Sequence, residues 1–173
     1  PYIKKNKAVL YVNVGDYKNV WDELIRDIPQ MRELATEHFD NWKDTKAFAT
    51  KALSASQINN SDVVTDNNRD DNSKNITADN SSEDTSDNIT GIHGFYHKNI
   101  FEAVYCTNLL MRSADVLVTK PSELAFYPVP KLFIKRVGGH EQWGAVHSAE
   151  IGDGTLECRD IPHTLQMIKL FME

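Results

Sequence analysis

The chain has little cysteine. Cys106 and Cys158 are the only two, and they share no paired spacing. That argues against the Cys-x-x-Cys pairs of zinc ribbons and the disulfide frameworks of small secreted domains. Cys106 lies in an apolar helical pattern and reads as a packed thiol rather than a nucleophile. Basic charge is also scarce: 19 Lys and Arg against 25 Asp and Glu leave a formal charge of −6. With no basic stripe, nucleic acid is not an expected partner. No long apolar run occurs, so nothing reads as a membrane span or a signal peptide. No serine elbow, Walker sequence or HExxH is present. His93, His97, His147 and His163 fall at no metal-ligand spacing, and neither a catalytic metal nor a cofactor is expected.

What is present alternates between strand and helix. The 173 residues suit one domain with a sizeable core. The chain opens at Pro1 without a methionine, directly before a strand, which suggests a domain excised from a longer protein. Lys7 to Val14 is apolar and β-rich, and Gly15-Asp16 ends it. A helix follows from about Asn19, with Val20, Leu24 and Ile28 near helical spacing, until Pro29 breaks or restarts it. Residues 30–41 then read as helical, with Met31, Leu34, Ala35 and Phe39 on one side, and 44–53 as a further helix candidate. Strand, glycine turn, helix is how a Rossmann half begins. Asn13-Val14-Gly15-Asp16 is then either part of a phosphate site or a plain strand-to-helix turn.

Residues 54–90 differ in kind. Asn, Asp, Ser and Thr dominate and aromatics are absent. Such a segment buries too little apolar area to offset its ordering entropy, so the expectation is a disordered, acidic insertion in a surface connection. Order returns at Gly91. Residues 92–96 read as a strand, and 100–112 as a helix burying Ile100, Val104, Leu109 and Met111. Near the end, Ile161-Pro162 starts an amphipathic helix with Leu165, Ile168 and Met172 facing in.

The most informative stretch is Ala114 to Thr155. Asp115-Val116-Leu117-Val118-Thr119 is short, β-branched and nearly all apolar, as a buried parallel strand is. Pro121 suits a helical first turn, so 121–126 reads as a short helix closed by Pro128 and Pro130. A strand over 131–137 follows, then Gly138-Gly139-His140, then a helix over about 141–151 ended by Gly152 and Gly154. The order is βαβα, and the sequence as a whole predicts an α/β fold: a Rossmann-like parallel sheet flanked by helices. In such sheets ligands bind beyond the carboxyl ends of the strands, where loops turn into helix N-termini. Lys120 to Glu123 and Gly138 to Gln142 both fall at such ends.

These residues resemble a family. Ala114-Asp115-Val116-Leu117-Val118, Ser122-Glu123, Val129-Pro130, His140-Glu141-Gln142 with Ala145, and Glu150 to Gly154 are similar to the C-terminal, donor-binding domain of two-Rossmann (GT-B) glycosyltransferases. The closest comparison is the group that holds the peptidoglycan lipid-intermediate N-acetylglucosaminyltransferases and the diacylglycerol galactosyltransferases. Two departures stand out: the loop before Glu123 lacks the group's glycine, and Gly144 stands where the group has asparagine.

The resemblance implies a nucleotide-sugar partner, with a UDP-sugar as the expected donor. It implies that Glu123 holds the donor ribose hydroxyls, although by itself Glu123 could equally favour a helix start. The same holds for Ser122, which reaches a phosphate or caps the turn, and for Lys120, a phosphate counter-charge or a solvated lysine. Gly138, Gly139, His140, Glu141 and Gln142 correspond to the region that contacts sugar and diphosphate, and Arg136 is placed to neutralise diphosphate. With Gly15, these are the expected donor-binding residues. The catalytic base of such enzymes usually comes from the N-terminal half, so the catalytic residues stay unassigned and this domain alone is expected to be inactive. A missing second Rossmann half, a lipid acceptor at the membrane and a cytoplasmic location are the further implications. Two other readings stay open: a non-catalytic α/β binding domain, and another Rossmann-type enzyme using a mononucleotide.

Overall fold

The computed structural model describes residues 2–61, 88–121 and 127–173. It divides into two units, Pro1–Ser113 and Ala114–Glu173, where the sequence reads as one domain. Each unit is mixed α/β, with a small parallel sheet and packed helices.

In the first unit, Val9–Asn13 (β1), Ala35–Phe39 (β2) and Gly91–Tyr96 (β3) form a parallel sheet in the order β1-β3-β2. Lys18–Asp27 (α1) joins β1 to β2, Trp42–Ser61 (α2) follows β2, and Ile100–Met111 (α3) follows β3. Alternate residues of a strand point to opposite faces, and β3 is covered on both. Ile92 packs with Trp21 and Ile25 of α1. Phe95 packs on the other side with Phe48 and Ala52 of α2 and Cys106 and Leu110 of α3. Gly94 is where α1 comes closest: a Cβ there would meet the Trp21 ring at 2.5 Å. Trp21 is fully buried, and its indole N–H donates to Glu37 Oε1 at 2.8 Å.

In the second unit, Leu117–Thr119 (β4) and Lys131–Phe133 (β5) pair in parallel, Leu117 opposite Lys131. Gln142–Ile151 (α4) and Ile161–Met172 (α5) follow. Gly152 ends α4 at φ 81°, the left-handed conformation that favours glycine. Asp160 caps α5 by accepting from the His163 N–H at 2.8 Å. Lys131 is wholly buried, and its ammonium donates to Tyr127 O, to Val129 O at 2.9 Å and to Asp153 Oδ2 at 2.8 Å. Three donors meet three acceptors, which is what lets a lysine sit inside.

Several expectations need correction. The strands form a three-stranded and a two-stranded sheet rather than one. Residues 30–41 are not a helix: a helical turn over Pro29–Leu34 gives way to β2. Ala35 and Phe39 pack toward Trp21 while His38 stacks on Phe95. That two-residue alternation won because β2 adds to the edge of β3. On α1 the buried residues are Trp21 and Ile25, while Val20 and Ile28 are exposed. On α3 they are Ala103, Cys106, Leu110 and Met111, while Ile100 and Val104 are exposed. Leu24 and Met111 do pack as expected, so the buried stripe of each helix is shifted from the predicted one rather than replaced. No residue of α5 is buried, and Leu165 is 60% exposed. Helical spacing shows which residues share a face, not whether a neighbour covers it. Ser54 to Ser61 continue α2 instead of opening an insertion, and Ile89 packs on the core. The remainder of the expected insertion, 62–87, and most of the expected short helix, 122–126, lie outside the described residues.

Candidate functional site

In the second unit the carboxyl ends of β4 and β5 carry two loops. The first begins at Lys120, and the second leads through Gly138 to a helical turn over Gly139–Glu141 and then α4. One ion pair ties them together: the half-exposed Lys120 ammonium contacts the buried Glu141 carboxylate. The other oxygen of Glu141 accepts from the Val137 N–H at 2.8 Å and the Gly138 N–H at 3.3 Å. The hydrogen bond from Lys120, followed by that from Val137, lowers the Glu141 carboxyl to about 2. Glu141 is therefore a permanent anion that shapes the loop, with both oxygens engaged.

The other expected donor-binding residues are distributed as follows. His140 and Gln142 are exposed, and the His140 ring covers Gly138 so closely that a Cβ on the glycine would meet it at 2.5 Å. Gly139 is open: a Cβ there would meet nothing within 4 Å. Arg136 is engaged with Glu157, its backbone N–H at 3.0 Å and its guanidinium at 3.2 Å. Ser122 and Glu123 lie outside the described residues. Gly15 belongs to the first unit. The second unit thus brings together Lys120, Gly138, Gly139, His140, Glu141 and Gln142, with exposed imidazole, amide and backbone groups on the outside.

The first unit has its own carboxyl edge. β1 and β3 are neighbours, yet the helices that follow them, α1 and α3, pack on opposite faces of the sheet. In open parallel sheets such a divergence marks the edge where ligands bind. Gly15 sits there at φ 64°, its N–H held by Asn13 Oδ1 at 3.0 Å and its carbonyl accepting from the His97 N–H at 3.0 Å. Asp40 follows β2, His97 follows β3, and Glu102 lies in the first turn of α3. One ligand-type atom from each lies within 4.8 Å of the others. His97 is wholly buried, with Nε2 3.0 Å from Thr45 Oγ1 and Nδ1 3.7 Å from Glu102 Oε2. Burial lowers the His97 pKa, with Glu102 and Asp40 acting in the opposite direction. Asp40 and Glu102 carry no local motif, and sequence reasoning passed over them. The available signal is that Asp40 and His97 each directly follow a strand, but the residues before Asp40 have a helical pattern in sequence and form β2 only in the fold.

Among the described residues no helix is long and apolar enough to cross a membrane. The chain matches, over residues 1–80 and 55–173, the family described as Domain of unknown function (DUF6938). No curated protein and no solved structure matches it.

Proposed function

The chain belongs to the DUF6938 family, and from its own residues we propose that it is the donor-binding part of a glycosyltransferase, holding a UDP-linked sugar on a Rossmann-like scaffold. The observation that supports this is the Lys120–Glu141 pair, which joins the loop after β4 to the loop after β5. A ligand at a parallel sheet's carboxyl edge is gripped by successive loops of this kind. In this reading Glu123 and Ser122 take the ribose and a phosphate, the open backbone at Gly139 admits the diphosphate, and His140 and Gln142 face the sugar. Glu141 is a positioning residue. A second Rossmann half supplies the catalytic base and brings the chain to a lipid acceptor at the cytoplasmic membrane face.

A non-catalytic ligand-binding role has one observation in its favour. Lys120 and Arg136, the two cations nearest the loops in sequence, already face Glu141 and Glu157. A diphosphate would have to compete with carboxylates for both.

Calorimetry of the full-length protein with UDP-N-acetylglucosamine tests the proposal. Binding is expected, weakened in Glu123→Gln by roughly 1.5 to 3 kcal/mol, the worth of a hydrogen bond to a charged group. Binding without sugar transfer favours the non-catalytic role. Absence of binding to any nucleotide or nucleotide-sugar overturns both.

A further inference from the structure

We propose that Asp40, His97 and Glu102 form a binding site for a divalent first-row transition-metal ion at the carboxyl edge of the first sheet. The inference is independent of nucleotide-sugar binding, since it rests only on residues of the first unit.

The geometry is nearly assembled. Metal–ligand bonds of about 2.0 to 2.2 Å put neighbouring ligand atoms roughly 3 to 3.6 Å apart. His97 Nδ1 and Glu102 Oε2 are 3.7 Å apart, and all three ligand atoms fall within 4.8 Å. Small rotations of Asp40, which is exposed, and Glu102, which is partly so, close the difference.

The imidazole points to a cation independently of the carboxylates. His97 is wholly buried, and Nδ1 has no hydrogen-bond partner among the described residues. A buried polar atom left unpaired is costly and calls for a specific reason. The ring is held on its other sides: Nε2 lies 3.0 Å from Thr45 Oγ1, the backbone N–H is bound to Gly15 O, and the Trp42 ring packs edge-on. The Thr45 hydroxyl can accept Nε2–H, and in that tautomer the Nδ1 lone pair is free to bind a cation beside the carboxylates. A histidine whose second nitrogen is fixed by a hydrogen bond is also how proteins orient a metal-ligating ring.

One nitrogen and two carboxylate oxygens suit Zn2+ or Mn2+ better than the all-oxygen preference of Mg2+ and Ca2+. Three protein ligands leave coordination positions for water or a ligand oxygen, as catalytic sites do and closed structural sites do not. The ion would lie beyond the carboxyl ends of β2 and β3.

The test uses the full chain, freed of metal with a chelator. Zn2+ is titrated by calorimetry, and Co2+ by its visible absorption. One equivalent of each is expected per chain, with Mg2+ at equal concentration failing to compete. Asp40→Asn and Glu102→Gln alter side chains that are at least partly exposed, and Asn tolerates the left-handed backbone of Asp40 (φ 49°). Each should weaken uptake at least about tenfold while circular dichroism shows an intact fold. His97→Gln should abolish the Co2+ band, and His140→Ala should leave it unchanged. No uptake of either ion, or uptake unaffected by both carboxylate variants, would overturn the site.

Discussion

His38 and His93, from neighbouring strands, meet nitrogen to nitrogen: His38 Nε2 lies 3.1 Å from His93 Nδ1. His93 Nε2 lies 3.0 Å from the Thr90 carbonyl, which only accepts, so that nitrogen carries hydrogen. His38 Nδ1 is 2.6 Å from Asp44 Oδ2. These contacts stitch β2 to β3 and to α2.

A pH dependence follows for His93. Its pKa is lowered from 6.5 chiefly by burial, with the Thr90 carbonyl opposing and His38 adding to the shift. Below the unfolded value, the unfolded chain binds the proton more readily than the folded one. The contribution of His93 is therefore complete above about 6.5 and is lost as pH falls toward the lower folded value. Urea unfolding at about pH 7.5 and pH 5.5 should show a larger loss in wild type than in His93→Gln. An equal loss in both would mean that His93 does not carry the dependence.

Gly94→Ala tests the packing of α1 on the sheet. The new methyl would meet the Trp21 ring at 2.5 to 2.7 Å, and Trp21 is fully buried, so the ring has no free space to move into. Overpacking of this kind costs about 1 to 3 kcal/mol. Urea midpoints compare the two proteins, and an unchanged midpoint would show that α1 shifts freely.

Lys131→Met should destabilise the second unit by about 3 kcal/mol. The methionine fills the volume but leaves Asp153 and the Tyr127 and Val129 carbonyls without their shared donor. Asp153 is 26% exposed, so water recovers part of the loss. Hydrogen exchange at residues 131–133 and 153–155 reads the effect locally.

Lys120→Met should raise the titration of Glu141, measured by carboxyl NMR, because the hydrogen bond from Lys120 is the largest influence on it. The Glu141 pKa is lowered, so its stabilising contribution is present above about 4.5 and lost as pH falls toward about 2. An unmoved titration in the variant would mean that the Val137 N–H, not Lys120, holds the charge.

Local patterns were enough for β1, β3, the start of β5 at Lys131, the extent of α3 and α4, and the end of α4 at Gly152, because each rests on near-neighbour chemistry: apolar, strand-forming runs and a left-handed glycine. The expected strand over 131–137 ends at Phe133. Parallel pairing of β1 with β3 and of β4 with β5 was also legible, since alternating strand and helix patterns along the chain imply crossovers that return it to the starting edge. β2 was not. Thr36-Glu37-His38-Phe39 hides its alternation, because the buried residue on one face is a histidine that becomes core only when Phe48, Phe95 and His93 surround it. Glu141 likewise looked like a ligand-facing carboxylate until the fold brought Lys120 to it. Asp40, His97 and Glu102 come from β2, β3 and α3, and no spacing along the chain relates all three. The sequence by itself determined the elements whose causes lie within a few residues. Only the tertiary structure decided which polar groups were buried together, because burial and pairing depend on residues that folding alone makes neighbours.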